Sequence, residues 1–289
     1  MKTIDGVSHM TQQVQRDRHL GQTRTTVEVL GVKIDVIQLD QLLDTIMQTV
    51  ADQDRRRALL AYANVHTLNL AWDQPWFRAF LNQSDVVFCD GFGVKWGACL
   101  LGYHLPERFT PPDWIPALAE RCCRERRSLF LLGAAPGVAE QVATVLVAQF
   151  PGLHIAGTHH GYFDHSPGSA GTEEVARLIN CARPDILLLG LGMPLQERWL
   201  WQNWGRLNVR VVLPVGAALD YLAGNVPRGP RWMTNHGLEW LSRLVIEPGR
   251  LWRRYLIGNP LFLLRIVRQR LGWLPAREDS HAPPRTRLR

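Results

Sequence analysis

The sequence has no CxxC pair and no Cys/His spacing of the kind that holds zinc. Its five cysteines, Cys89, Cys99, Cys122, Cys123 and Cys181, sit in apolar or helix-like stretches. A disulfide framework and a zinc ribbon are thereby excluded, and buried thiols in a reducing compartment are expected. No apolar run approaches the roughly 18 residues that a spanning helix needs, so the chain is not expected to cross a bilayer. The opening MKTIDGVSHMTQQVQRDRHLGQTRTT lacks the apolar stretch of a signal peptide. Being polar and aperiodic, residues 1–26 are expected to be disordered. GxSxG, a Walker lysine and a complete GxGxxG are all missing. Asp52-Gln-Asp54 spells the DxD of metal-dependent sugar transferases, but it closes a polar helix where the motif should follow a strand. His154, His159, His160 and His165 have no partner carboxylate pattern. Neither a metal nor a cofactor is expected.

Lysine is absent after Val226, where thirteen arginines face only four acids. This segment carries +9 of a net charge of +7, which leaves −2 on residues 1–225. Such asymmetry points the C-terminal end at an anionic surface or substrate.

The remaining composition, 46% hydrophobic and 20% charged, is that of an ordinary globular protein. Apolar runs at 57–64, 85–90, 128–134, 153–158, 185–192 and 209–217 read as strands. Most are continuous and lack alternation, as in strands covered on both faces. Between them lie helix-length patterns such as LDQLLDTIMQTVADQ and TEEVARLINCA. This alternation predicts an α/β fold with a mainly parallel sheet over residues 27–226. Beyond it the pattern is helical to about residue 273, and residues 274–289 read as a disordered, solvated tail. In PGRLWRRYLIGNPLFLLRIVRQRLGW, Leu261, Leu264 and Val267 can share one face while Arg265, Arg268 and Arg270 stay wet. A basic helix bearing Trp and Leu suits a membrane interface; a helix packed on its own domain fits the spacing equally.

Ligands of open α/β sheets bind where strands end. That places attention on Asp90, on the glycine turn that starts at Gly133, on Gly190-Leu-Gly192-Met-Pro194 and on Gly216. Asp90 closes the run Val86-Val87-Phe88-Cys89 and precedes Gly91-Phe92-Gly93. Two roles are open to it. It can cap the following helix, or it can face a cleft as a general base. A helix terminus would keep it ionised but weaken it as a base, and partial burial would offset that.

The segments YANVHTLNLAWDQPWFRAFLNQSDVVFCDGFGVKWGACLLGYHLPERF, LFLLGAAPGVAE, RPDILLLGLGMPLQERWL, VGAALDYLAGNVPRGPRWM and GLEWLSRLVIEPGRLWRRYLIGNPLF resemble, in this order, the WecG/TagA/CpsF glycosyltransferases, from about Val29 to Arg270. The resemblance implies a Rossmann-like α/β domain, with helices on both faces of the sheet, and a C-terminal helical appendage. It implies inverting transfer of an N-acetylmannosamine-type or glucose-type sugar from a UDP-sugar donor to a polyprenyl-diphosphate-linked glycan. The setting would be bacterial cell-surface polysaccharide synthesis, peripherally at the inner face of the plasma membrane. It places the base on Asp90 and substrate contacts on Asn64, Arg108, Gln196, Arg243, Arg250 and Arg253. Tyr62, Gly133, Glu197, Gly216 and Asp220 are further substrate-binding candidates within these segments and turns. Tyr62 stands where the family often has Thr. Self-association is a tendency of the family.

With no metal motif, charge growing on the leaving diphosphate would be met by guanidinium groups and helix N–H dipoles. Two other classes compete. One is a non-catalytic protein binding anionic lipid or nucleic acid through its arginines, although the interleaved Trp232, Trp240 and Trp252 suit an interface more than a phosphate backbone, and no nucleic-acid partner is expected. The other is a dinucleotide oxidoreductase, which the incomplete glycine fingerprint disfavours.

Overall fold

A computed structural model describes residues 13–16, 23–54, 56–227, 229–230, 232–233 and 237–273, with side chains from Arg24 onward. Six strands form one all-parallel sheet: β4 (Ala58–Ala63), β5 (Val86–Cys89), β6 (Ser128–Gly133), β7 (His154–His159), β8 (Ile186–Gly190) and β9 (Val211–Pro214), in the order β5-β4-β9-β8-β6-β7. Every residue of β4, β5, β6, β8 and β9 is buried, which is why these strands read as unbroken apolar runs.

Helices cover both faces. Alternate residues of β4 show the division, with Leu59, Ala61 and Ala63 in one apolar cluster and Ala58, Leu60 and Tyr62 in the other. The first cluster packs α2 (Val65–Asp73), α3 (Pro75–Gln83), α7 (Ala170–Ala182) and α8 (Leu195–Asn203). Also in it are Val94 and Ala98 of α4 (Phe92–Leu100). The second takes α1 (Leu39–Ala51), α5 (Pro111–Glu125), α6 (Val138–Gln149) and the short α9 (Ala218–Leu222).

The expectation of disorder to residue 26 is corrected over part of its length; residues 1–12 and 17–22 lie outside the described residues. β1 (Gln13–Arg16) pairs antiparallel with β2 (Thr23–Val29), and β2 with β3 (Val32–Asp35). Leu30 and Gly31 form the β2–β3 turn with φ of 53° and 80°. Positive φ at both central residues matches the twist of a hairpin. Val27, Val29, Val32 and Ile34 of this hairpin join the first cluster.

The C-terminal region comprises α10 (Glu239–Ile246), α11 (Pro248–Trp252), a π-helical turn (Arg253–Ile257) and α12 (Gly258–Arg270). Of the arginines expected to stay solvated on α12, Arg268 and Arg270 are exposed, and the expectation is corrected at Arg265. Arg265 is only 6% exposed, and with Phe262, Ile266 and Gln269 it forms the buried side. Its guanidinium donates to Asn69 Oδ1 at 2.9 Å and Asp73 Oδ1 at 2.5 Å, and stacks over Trp72. Gln269 accepts from the Leu30 N–H at 2.8 Å and donates to Glu28 O. Phe262 and Ile266 join the core, each contributing about 1.5–3 kcal/mol by burial. The oxygens of Asn69 and Asp73 on α2 give Arg265 the partners that an inward arginine requires. Consequently Leu264 and Val267, with Leu263 and Leu271, are left exposed. Residues 274–289, expected to be a tail, lie outside the described residues.

Candidate active site

β4 and β5 run in parallel with Ala63 beside Cys89. The next residue on each strand, Asn64 and Asp90, therefore lies side by side at the carboxyl edge of the sheet. Asn64 Nδ2 donates to Asp90 Oδ2 at 3.1 Å. Its Oδ1 accepts from the Thr67 N–H and hydroxyl, both at 3.0 Å, and caps α2. Capping thus fixes the amide so that its NH2 group faces the carboxylate.

Asp90 itself is not a cap. Gly91 holds the cap position of α4, without a side-chain bond. Asp90 keeps part of its surface open to solvent while densely surrounded by protein. Burial pushes its carboxyl up to about 6, and Glu239 adds to this; the Asn64 amide, Arg243 and Arg254 pull the other way. A carboxylate near 6 is ionised at neutral pH yet basic enough to take a proton in the transition state. This combination answers the conflict between helix-end stabilisation and basicity.

Behind this pair, Gln196 ties three strand ends together. Its Oε1 accepts from the Gly216 N–H at 3.0 Å, and its Nε2 donates to Glu197 Oε1 at 2.7 Å and approaches the Tyr62 hydroxyl at 3.4 Å. Gln196 and Glu197 are buried. Burial pushes Glu197 up to about 8, and its Oε2 has no partner. Tyr62 is raised by burial and then by the charges of Glu197 and Asp90, so it stands as a neutral phenol. Gly133 closes β6, where a side chain would meet Gly190 O at 2.3 Å. Its identity is thus set by backbone contact between β6 and β8. A surface hollow of about 690 Å3, lined by Glu173, Arg177, Asn180, Cys181 and Arg206 among others, sits at the opposite, amino edge of the sheet and has none of these groups.

Residues 27–275 match the Glycosyl transferase WecG/TagA/CpsF family. The chain belongs to this family. It is similar to the N-acetylglucosaminyldiphosphoundecaprenol N-acetyl-beta-D-mannosaminyltransferases of Staphylococcus aureus strains MRSA252 and NCTC 8325 / PS 47. Each is 27% identical over 242 residues, which cover 84% of this chain and 92% of the relative. The protein is accordingly a glycosyltransferase.

The appendage of this transferase divides the predicted arginines. Arg243 donates from Nε to the Tyr221 hydroxyl at 2.7 Å and its charge reaches Asp90. Arg108 stacks over Phe92 and lies 3.6 Å from Asp113 and 3.8 Å from Glu239, which links the sheet domain to α10. Arg250 is exposed and paired with Glu247 at 2.8 Å. Asp220 is raised by burial, against the pull of Arg250. Arg253 is exposed and stacks on Trp252. Three groups were missed in the sequence. Glu239 stands among Arg108, Arg243 and Asp90. His66, in the first turn of α2, is lowered to about 4 by burial and then by Arg254. Arg254 acts on Tyr62, His66 and Asp90. The Asn-x-His spacing near Asp90 was a readable sign of the second; only the π turn tells Arg254 from Arg253. Among the described residues no group of three or more His, Cys, Asp or Glu is placed to hold a metal.

Proposed function

We propose that the enzyme transfers a hexosyl group with inversion from a UDP-sugar to a hydroxyl of a glycan carried on a lipid diphosphate, with Asp90 as general base. The sugar is of N-acetylmannosamine or glucose type. The observation that carries this reading is the Asp90 carboxyl: partly open at the sheet's carboxyl edge, aimed by Asn64 and raised to about 6. In the reaction it takes the acceptor hydroxyl's proton as that oxygen attacks the anomeric carbon. The bond from that carbon to the diphosphate oxygen breaks, and UDP departs with the electron pair from the opposite face. Arg243, near Asp90, meets part of the growing negative charge. Gln196 and the Gly216 N–H hold the strand-end loops in register beneath the sugar. The acceptor class draws support from the activity by which the staphylococcal relatives are named.

The same reading includes peripheral attachment to a membrane. No helix among the described residues is long and apolar enough to cross one. Leu256, Ile257, Leu263, Leu264, Val267 and Leu271 are nonetheless exposed along the C-terminal helices, with Arg268 and Arg270 exposed among them. Apolar side chains edged by arginine favour an anionic lipid surface over free solvent.

Product mass from UDP-sugars and a lipid-diphosphate monosaccharide tests the reaction, with Asp90→Asn as the decisive variant. It is expected to keep its fold and UDP-sugar binding and to lose transfer. Wild-type turnover by Asp90→Asn removes the assignment.

A further inference from the structure

Helix α4, in the sheet domain, carries an apolar stripe that the core does not cover. Val94, Gly97 and Ala98 are buried, whereas Trp96 and Leu100 are 55% and 52% exposed and Cys99 is exposed between them. Residues at spacings of three and four share one face of a helix, so these three form a single outward row.

The row continues onto α12. Gly97 has no side chain where α12 presses against α4, and a Cβ there would meet the Phe262 ring at 2.7 Å and Ile266 at 3.4 Å. Just past α4, Gly102 faces the Arg270 guanidinium, 3.8 Å from where its Cβ would stand. Leu263 and Val267 follow Phe262 and Ile266 by one position each, and so turn outward on the side of α12 that bears Arg270. Both are exposed. The exposed edges of the two helices therefore border one seam.

Charge selects the partner for this surface. Neither α4 nor α12 contains Asp or Glu, and Arg268 and Arg270 of α12 are exposed. Apolar side chains edged by cations and free of acids suit an anionic lipid surface, and tryptophan favours the headgroup level. The position also fits. α4 starts from Gly91, the neighbour of Asp90, and Trp96 stands five residues on, about 7.5 Å along the axis. A bilayer against the row would lie close to the carboxylate that acts on a lipid-borne acceptor.

We propose that α4 and α12 form one lipid-docking platform, in which Trp96, Cys99 and Leu100 of the sheet domain itself enter the surface of an anionic bilayer. This rests on the reading of the protein as peripherally attached, and adds that the sheet domain, not the C-terminal helices alone, touches lipid. Docking on both helices then sets the height of Asp90 above the membrane.

The test labels the full chain with an environment-sensitive fluorophore at Cys99, with Cys123 and Cys181 replaced by serine. A companion carries the label at Cys181, with Cys99 and Cys123 replaced; Cys181 lies in the hollow at the amino edge of the sheet. On vesicles of phosphatidylglycerol and phosphatidylcholine, the Cys99 probe is expected to shift to the blue and to be quenched by spin-labelled lipid, while the Cys181 probe is unmoved. Trp96→Ser with Leu100→Ser is expected to weaken vesicle binding about tenfold and to keep the wild-type melting temperature. The same pair is expected to keep wild-type kcat/KM on a water-soluble, short-chain acceptor. A Cys99 probe that stays unmoved while the protein binds vesicles overturns the platform and leaves attachment through the C-terminal helices standing. Wild-type protein that does not bind vesicles overturns both. A blue shift that grows with protein concentration without vesicles assigns the row to a second copy of the chain, and loss of activity on the short-chain acceptor assigns it to the acceptor's own binding; either result overturns the proposal.

Discussion

Replacing Asn64 by serine separates two functions that the asparagine performs at once. Its Oδ1 caps α2, and its Nδ2 donates to Asp90 at 3.1 Å. Serine caps a helix about as well as asparagine, so stability is expected to hold within about 0.5 kcal/mol. Serine does not reach Asp90 with a donor. A hydrogen bond to a charged carboxylate contributes about 1.5–3 kcal/mol. At about 1.4 kcal/mol per pKa unit, its loss raises Asp90 from about 6 by about one to two units. Because the base must be ionised to accept the acceptor's proton, the acid limb of the kcat/KM profile moves to higher pH. At pH 7 the ionised fraction falls from about nine-tenths to between about one-half and one-tenth, and the rate falls with it. Above about pH 9 most of the rate returns. The assay is kcat/KM against pH for wild type and variant, with Asn64→Ala as a companion expected to lose about 1 kcal/mol of stability as well. Glu197 titrates in both proteins, so the difference between profiles is what is read. An acid limb unmoved or shifted to lower pH in Asn64→Ser refutes the role given to the Asn64 amide.

Two further outcomes are expected. Glu197 is raised from 4.5 to about 8 by burial, so between those values the folded protein holds a proton that the unfolded chain has lost. Stability therefore falls as pH rises through that window, by about 1.4 kcal/mol per unit at most, and Glu197→Gln is expected to flatten the fall; parallel stability–pH curves contradict this. Leu264→Asp with Val267→Asp, on the exposed side of α12, is expected to weaken co-sedimentation with anionic vesicles while leaving the melting temperature near wild type. Ile266→Asp, on the buried side, is expected to unfold the protein; unchanged vesicle binding by the exposed pair counts against the docking face.

Five of the six strands, β4, β5, β6, β8 and β9, were legible because burial on both faces leaves an unbroken apolar run. The β2–β3 hairpin was not, since Thr, Glu and Lys alternate there with valine and the Leu30-Gly31 turn is an uncommon one. α2 and α3 were also missed as helices; Asn64 caps the first, and Pro75 opens the second. Asp90 was singled out by the carboxylate at the end of an apolar run, but its partner lies 26 residues away. That neighbour follows only from the register of β4 on β5. Helical periodicity placed Arg265 on the wet side of α12, because it counts arginine as a surface residue. The oxygens of Asn69 and Asp73 that admit Arg265 belong to another helix, which no local pattern displays.

The bond from the Leu30 N–H to the Gln269 side chain joins residues 239 positions apart. During synthesis the first hairpin therefore emerges long before the group that completes it. Loop closure over so great a distance is slow relative to local folding. An emerging chain thus exposes Asp90 well before Arg243 and the other C-terminal arginines. The contact between the two ends of the fold forms only after α12 has been synthesised and docks.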